Sequence, residues 1–84
     1  MNLTSTVFTI AGHKKFDRMT ADVAIDAGAT HGKLIIGLGT MEDEEFWRRK
    51  RLEEEITAEQ YASVVNDEAA RAALAASIIN VTIA

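Results

Sequence analysis

The stretch TADVAIDAGATHGKLIIGLG, residues 20–39, decides the fold class of this 84-residue chain. Its first seven residues put apolar side chains on odd positions and polar or small ones on even positions, the alternation of a half-buried antiparallel strand. Its last seven residues, KLIIGLG, put leucine and isoleucine on the even positions of a second strand. The glycines between the two runs, Gly28 and Gly32, indicate a turn. The stretch therefore predicts a β-hairpin.

Two further strands are predicted on either side of this hairpin. Residues 3–10, LTSTVFTI, mix β-branched and small polar residues, and residues 77–84, SIINVTIA, alternate with Ile79, Val81 and Ile83 on one face. A loop is predicted at 11–19, with Phe16 and Met19 folding back onto the core. The basic residues of this loop are His13, Lys14, Lys15 and Arg18.

Helical signals begin at Thr57. Thr57 and Gln60 have the spacing of a capping box, and Tyr61, Val64 and Val65 fall on one side of the helix that would follow. An unbroken helix would place the apolar residues after residue 70 on a different side, so a break at residues 66–67, with a second helix capped there, is expected. The helical segment is predicted to span residues 57–76.

The charged stretch MEDEEFWRRKRLEEEIT, residues 41–57, is compatible with a helix or a strand. A helix is favoured by oppositely charged pairs four residues apart, such as Glu45 with Arg49. A strand is favoured because Phe46, Leu52 and Ile56 all have even numbers, so in a strand these three apolar side chains would lie on one face. In a strand, the opposite face would carry Trp47, Arg49, Arg51, Glu53 and Glu55.

The expected fold class is α+β: one domain over residues 1–84, in which a small antiparallel sheet of four to five strands, in unassigned order, is packed by one or two helices. The residues expected in its core are Val7, Ile10, Val23, Ile25, Leu34, Ile36, Leu38, Ile56, Tyr61, Val64, Val65, Leu74, Ile79, Val81 and Ile83.

Composition limits the possible functions. The chain has no Cys, which removes disulfides, thiolate metal sites and thiol catalysis, and it has no long apolar run, so a cytoplasmic protein is expected. Its net charge of −4 disfavours direct binding to nucleic acid or to an anionic membrane. The spacing of His13 and His31 does not suggest a metal site, and neither a nucleophile motif nor a phosphate loop occurs. No cofactor, metal or catalytic residue is therefore expected.

The charged stretch is the candidate site. Its residues are interpreted first as a self-paired charged surface, next as a protein-recognition face, and last as a catalytic site. The candidate partner-binding residues are Glu42, Asp43, Glu44, Glu45, Trp47, Arg49, Arg51, Glu53 and Glu55.

Three functions are considered. The leading one is a non-enzymatic protein-binding module, an acidic inhibitor or adaptor that occupies a basic surface of a partner. Phage-encoded anti-CRISPR proteins are the favoured class, on size, acidity and lack of Cys alone. The second is a self-associating, virion-type assembly subunit, for instance a homodimer paired through edge strands at 3–10 or 78–83. The third is a phosphate or nucleotide binder that combines the basic residues at 13–18 and 48–51.

Overall fold

A computed structural model describes residues 6–40 and 50–84 as a five-stranded antiparallel sheet covered on one face by two helices. The strand order is β4-β3-β2-β1-β5. The elements are β1 (Phe8–Ala11), β2 (Arg18–Ala24), β3 (His31–Gly39), β4 (Lys50–Thr57), α1 (Ala58–Val64), α2 (Glu68–Ile79) and β5 (Thr82–Ile83). The α+β class expected from the sequence is confirmed.

Strands β2, β3 and β4 form the main part of the sheet. The predicted hairpin is confirmed as β2 and β3, with Ala21 opposite Ile36 and Val23 opposite Leu34. Strand β3 begins earlier than KLIIGLG, at His31, and β2 ends before Ile25. Over residues 50–57 the charged stretch is a strand, paired with β3 along its whole length. The strand interpretation is therefore right for these residues, and 41–49 lie outside the described residues.

The core lies between the sheet and the helices. Its largest members, Met19, Leu34, Ile36 and Leu38, lie side by side on the inner face of β2 and β3. The buried hydrophobic residues of the described chain are Ile10, Met19, Ala21, Leu34, Ile36, Leu38, Ile56, Val64, Ala72, Ala75 and Ala76. Phe16 packs against the core from the loop, partly buried, as expected. Met19 is buried too, but it lies within β2, so the loop predicted at 11–19 is wrong for Arg18 and Met19. The three alanines of α2 were absent from the expected core, and their small side chains let the helix backbone approach the sheet closely.

Both predicted helix starts are confirmed. The Thr57 hydroxyl accepts from the Gln60 amide at 3.0 Å, and the Gln60 side-chain oxygen accepts from the Thr57 amide at 2.9 Å, which completes the capping box. The predicted break is also present, because Asp67 caps α2 by accepting from the Ala70 amide at 3.1 Å.

Arg71 joins the two helices to the sheet. Its Nε donates to the carbonyl oxygen of Ala21 in β2, and its Nη1 donates to the carbonyls of Val64 and Val65 at the end of α1. The last carbonyls of a helix have no partner within the helix, so one guanidinium satisfies two of them together with one strand carbonyl. Glu68 lies 3.9 Å from the same guanidinium and accepts a hydrogen bond from Thr6.

The predicted strand at 77–84 is wrong for most of its length. Helix α2 continues through Ile79 and stops at Asn80, whose φ of 61° is in the left-handed region. Only Thr82–Ile83 form a strand, β5, which pairs with β1. The β-branched run was read as a strand, but the preceding alanine-rich turns carry the helix forward until Asn80 ends it.

Two expectations for the N-terminal strand are corrected. The described part of this strand starts at Phe8, and Val7 is 41% exposed, so it does not belong to the core. Strand β1 is also internal, since it pairs with β2 on one side and with β5 on the other. The other strand proposed for pairing between copies, at 78–83, contains β5, which is the terminal strand on this side of the described sheet. Pairing between copies stays a prediction, and residues 3–5 lie outside the described residues.

Candidate functional site

The sheet has a second face, which we call the outer face, on the side away from the helices. Its side chains come from alternate residues of the three longest strands, and the register aligns them in rows across the sheet. One row contains Thr20, Gly37 and Arg51, and the next contains Asp22, Ile35 and Glu53.

Three candidate residues lie together on this face. Arg51, Glu53 and Glu55 alternate along β4, and all three are exposed. Their sharing of one face was predicted from parity. The other candidate residues, Glu42, Asp43, Glu44, Glu45, Trp47 and Arg49, lie outside the described residues.

Glu53 is at the centre of a small charge network. One of its carboxylate oxygens lies 3.3 Å from Nζ of Lys33, and the other lies 3.3 Å from Nη2 of Arg51. These groups are largely exposed, and exposed ion pairs of this kind stabilise a fold by at most about 1 kcal/mol. The network therefore fixes charge positions more than it stabilises the domain.

Glu54 and Glu55 are different. Both are exposed, and within the described part of the chain neither forms an ion pair. Glu54 is opposite Leu34 and Glu55 is opposite Lys33, so their side chains leave β4 toward opposite faces. The second half of β4 thus presents unneutralised carboxylates on both sides of the strand. The interpretation as a self-paired charged surface describes Arg51 and Glu53, whereas Glu54 and Glu55 form no such pair among the described residues.

A depression of 310 Å³ lies next to the charge network on the outer face. The described residues that line it are Thr20, Asp22, Ile35, Gly37 and Arg51. Arg51 therefore borders both the depression and the acidic part of β4.

The basic residues at 13–18 have local structural contacts. Nδ1 of His13 accepts from the amides of Lys15 and Phe16, at 3.0 and 3.2 Å, so the ring holds the loop between β1 and β2 in shape. Arg18 forms an ion pair with Asp17 at 3.3 Å. Arg18 and Arg51 share the outer face but are separated by two strand spacings and by two residues along the strand, roughly 12 Å in all. The predicted phosphate site stays a prediction, because residues 48 and 49 lie outside the described residues.

The strand order adds a feature that sequence reasoning missed. Among the strands of residues 6–40 and 50–84, β4 is terminal, so its acidic residues lie on an edge of the described sheet. Odd and even residue numbers show which residues share a face of a strand. The position of a strand at the edge of a sheet depends on pairings with distant residues, which no short sequence pattern shows.

The outer face and β4 together define the class of this protein as a small α+β domain with an acidic edge strand. No protein-family model matches the chain, and no curated protein or solved structure is significantly similar to it. In residues 6–40 and 50–84, neither helix is long and apolar enough to cross a membrane. Over the same residues, no three His, Asp or Glu side chains are grouped so as to hold a metal ion.

Proposed function

We propose that this protein is a non-enzymatic protein-binding module that places the carboxylates of β4 against a basic surface of a partner. The observation that carries the proposal is the exposure of Glu53, Glu54 and Glu55 on a terminal strand, two of them without an ion pair within the described chain. Carboxylates that are not neutralised internally attract a partner of opposite charge and accelerate its association.

The exposure of these acids also separates the proposal from catalysis. A carboxylate that works as a general acid near neutral pH needs a desolvated environment that holds its proton. Glu53, Glu54 and Glu55 are all exposed. Buried polar side-chain atoms of the described residues all have hydrogen-bond partners, so none is left waiting for a substrate group.

The basic surface is the identifying property of the proposed partner. Proteins that bind nucleic acid contact its phosphates with Lys and Arg. The carboxylates of β4 would occupy such a surface in place of the phosphates. An anti-CRISPR-like inhibitor acting in the cytoplasm is the specific form that we favour. Nucleic acid itself is not a direct partner in this proposal, because the chain carries a net charge of −4.

The proposal is tested by measuring binding to an array of immobilised peptides of equal length and opposite charge, at low and at high salt. We expect the parent protein to bind basic peptides in preference to acidic ones, with binding weakened by salt. The test variant is Glu54→Gln/Glu55→Gln. The matched control is Asp26→Asn/Glu59→Gln, which removes the same charge from exposed positions outside β4.

The expected result is that the β4 variant loses binding at least fivefold more than the control variant. Equal losses would show that only the net charge of the domain matters. Equal binding of basic and acidic peptides by the parent protein would refute the proposed function.

A further inference from the structure

Along β4, the backbone amide and carbonyl groups of successive residues point alternately toward β3 and away from it. The Ala58 amide donates to the Thr30 carbonyl at 3.0 Å, which places the hydrogen-bonded pairs between β3 and β4 at the even residues of β4. The amide and carbonyl groups of Arg51, Glu53 and Glu55 therefore point away from β3, toward the side on which β4 has no neighbouring strand among the described residues.

Thr57 supports this assignment. Thr57 has an odd number like Arg51, Glu53 and Glu55, so its amide also points away from β3. This amide donates to the side chain of Gln60. The capping box thus closes one end of the edge. Between Arg51 and Glu55, the part of the chain that the structure describes supplies no backbone partner on this side.

The same three residues carry the charges of the outer face. In an antiparallel pair, the residues of an added strand that hydrogen bond with Arg51, Glu53 and Glu55 place their side chains on that same face, directly opposite. A second copy of β4 that brings Glu53 opposite Glu53 would also pair each Arg51 with the Glu55 of the other copy, but the two Glu53 side chains would face a like charge. A basic segment can place a positive charge opposite both Glu53 and Glu55, so charge complementarity favours it over a second copy.

We propose that an extended, basic segment of the partner adds to the edge of β4 as a sixth, antiparallel strand. This inference rests on the proposed function and adds the mode of recognition: backbone hydrogen bonds along the edge, with specificity from the charges on either side. The register gives the pattern of the segment. In the partner segment, the three residues opposite Glu55, Glu54 and Glu53 are basic. The following residue, opposite Leu52, is apolar, and the residue after it, opposite Arg51, is acidic.

The probe is the capped peptide Thr-Lys-Lys-Lys-Val-Glu-Val-Thr, and its control is a peptide of the same composition in shuffled order. Amide hydrogen exchange of the full chain is followed by NMR with and without peptide. We expect the amides of Arg51, Glu53 and Glu55 to become protected, whereas those of Leu52 and Glu54 are already protected by β3. We expect the shuffled peptide to bind more weakly and to leave the amides of Arg51, Glu53 and Glu55 unprotected.

A pair of variants isolates the backbone contribution. Glu53→Pro removes the outward amide without removing a bond to β3, and proline is tolerated in this position of an edge strand. Glu53→Gln removes the same charge and keeps the amide. We expect Glu53→Pro to bind the peptide about five- to tenfold more weakly than Glu53→Gln, the loss of one backbone hydrogen bond.

The outcomes are distinguishable. Charge-dependent binding without alternating protection in the parent protein would overturn the added strand while leaving the proposed function standing, and this measurement does not depend on either variant folding. Binding that is insensitive to Glu54→Gln/Glu55→Gln would overturn both. A dimer whose outward amides are protected without peptide would make a second copy the occupant and overturn the inference.

Discussion

Replacing Arg71 with methionine tests the most connected side chain of the domain. The change keeps the aliphatic packing but leaves the carbonyls of Ala21, Val64 and Val65 without their donor. The Arg71 side chain is only 14% exposed, so water replaces these bonds incompletely. A hydrogen bond to a charged donor contributes roughly 1.5–3 kcal/mol, and partial solvation of the three carbonyls lowers the expected total loss to about 3 kcal/mol.

This loss is large for the domain. A chain of 84 residues has a free energy of unfolding of roughly 4–13 kcal/mol. A loss of 3 kcal/mol should lower the melting temperature by about 12–24 °C. Urea unfolding followed by circular dichroism measures the change in free energy directly, and thermal unfolding gives the second value.

The control is Arg51→Met, which removes an exposed guanidinium from the outer face. Its ion pair with Glu53 is exposed, so the expected loss is below about 1 kcal/mol. Arg71→Lys keeps the charge but not the three-way geometry, and its stability should lie between parent and Arg71→Met. If Arg71→Met were within about 0.5 kcal/mol of the parent, the role of Arg71 as the anchor of both helices would be refuted.

Two further changes test the core and the start of α1. Ile36→Ala should cost about 2–5 kcal/mol in urea unfolding, because Ile36 is fully buried, whereas Ile35→Ala on the outer face should cost less than half as much. Equal losses would mean that the inner face is wrongly assigned. Thr57→Ala should cost about 1 kcal/mol through loss of the N-cap, and Ser63→Ala, which removes a hydroxyl within the same helix, should cost less. An unchanged Thr57→Ala variant in the same assay would contradict the stabilising role of the capping box.

The features predicted correctly are those that short sequence patterns determine. The alternation in residues 20–26 and 33–39 specifies a hairpin, and its register follows from which face is apolar. The capping box at Thr57 and the cap at Asp67 are recognisable because side chain and backbone partners are three residues apart.

The errors come from competition between local patterns and tertiary structure. Ile78 and Ile79 have the composition of a strand but complete α2, where Ile79 packs against the core and Ile78 is exposed. Ala72 and Ala75 are fully buried, but an alanine-rich segment predicts a helix without showing which of its alanines face the core, because alanine favours helix at buried and exposed positions alike.

The candidate site was predictable only in part. Parity alone placed Arg51, Glu53 and Glu55 on one face. Their position at a sheet edge depends on the strand order, which is set by pairings between distant parts of the chain.

The pairing of β1 with β5 has a consequence for the order of folding. Ile10 and Ile83 are opposite each other in the sheet although nearly the whole described chain separates them, whereas the hairpin of β2 and β3 closes a short loop. The entropy lost on closing a loop grows with its length, so β2, β3 and β4 are expected to assemble first. Strand β5 follows both helices in the chain, so we expect it to pair with β1 after they have formed. The acidic edge strand β4 would then pair with β3 before β5 pairs with β1 at the other end of the sheet.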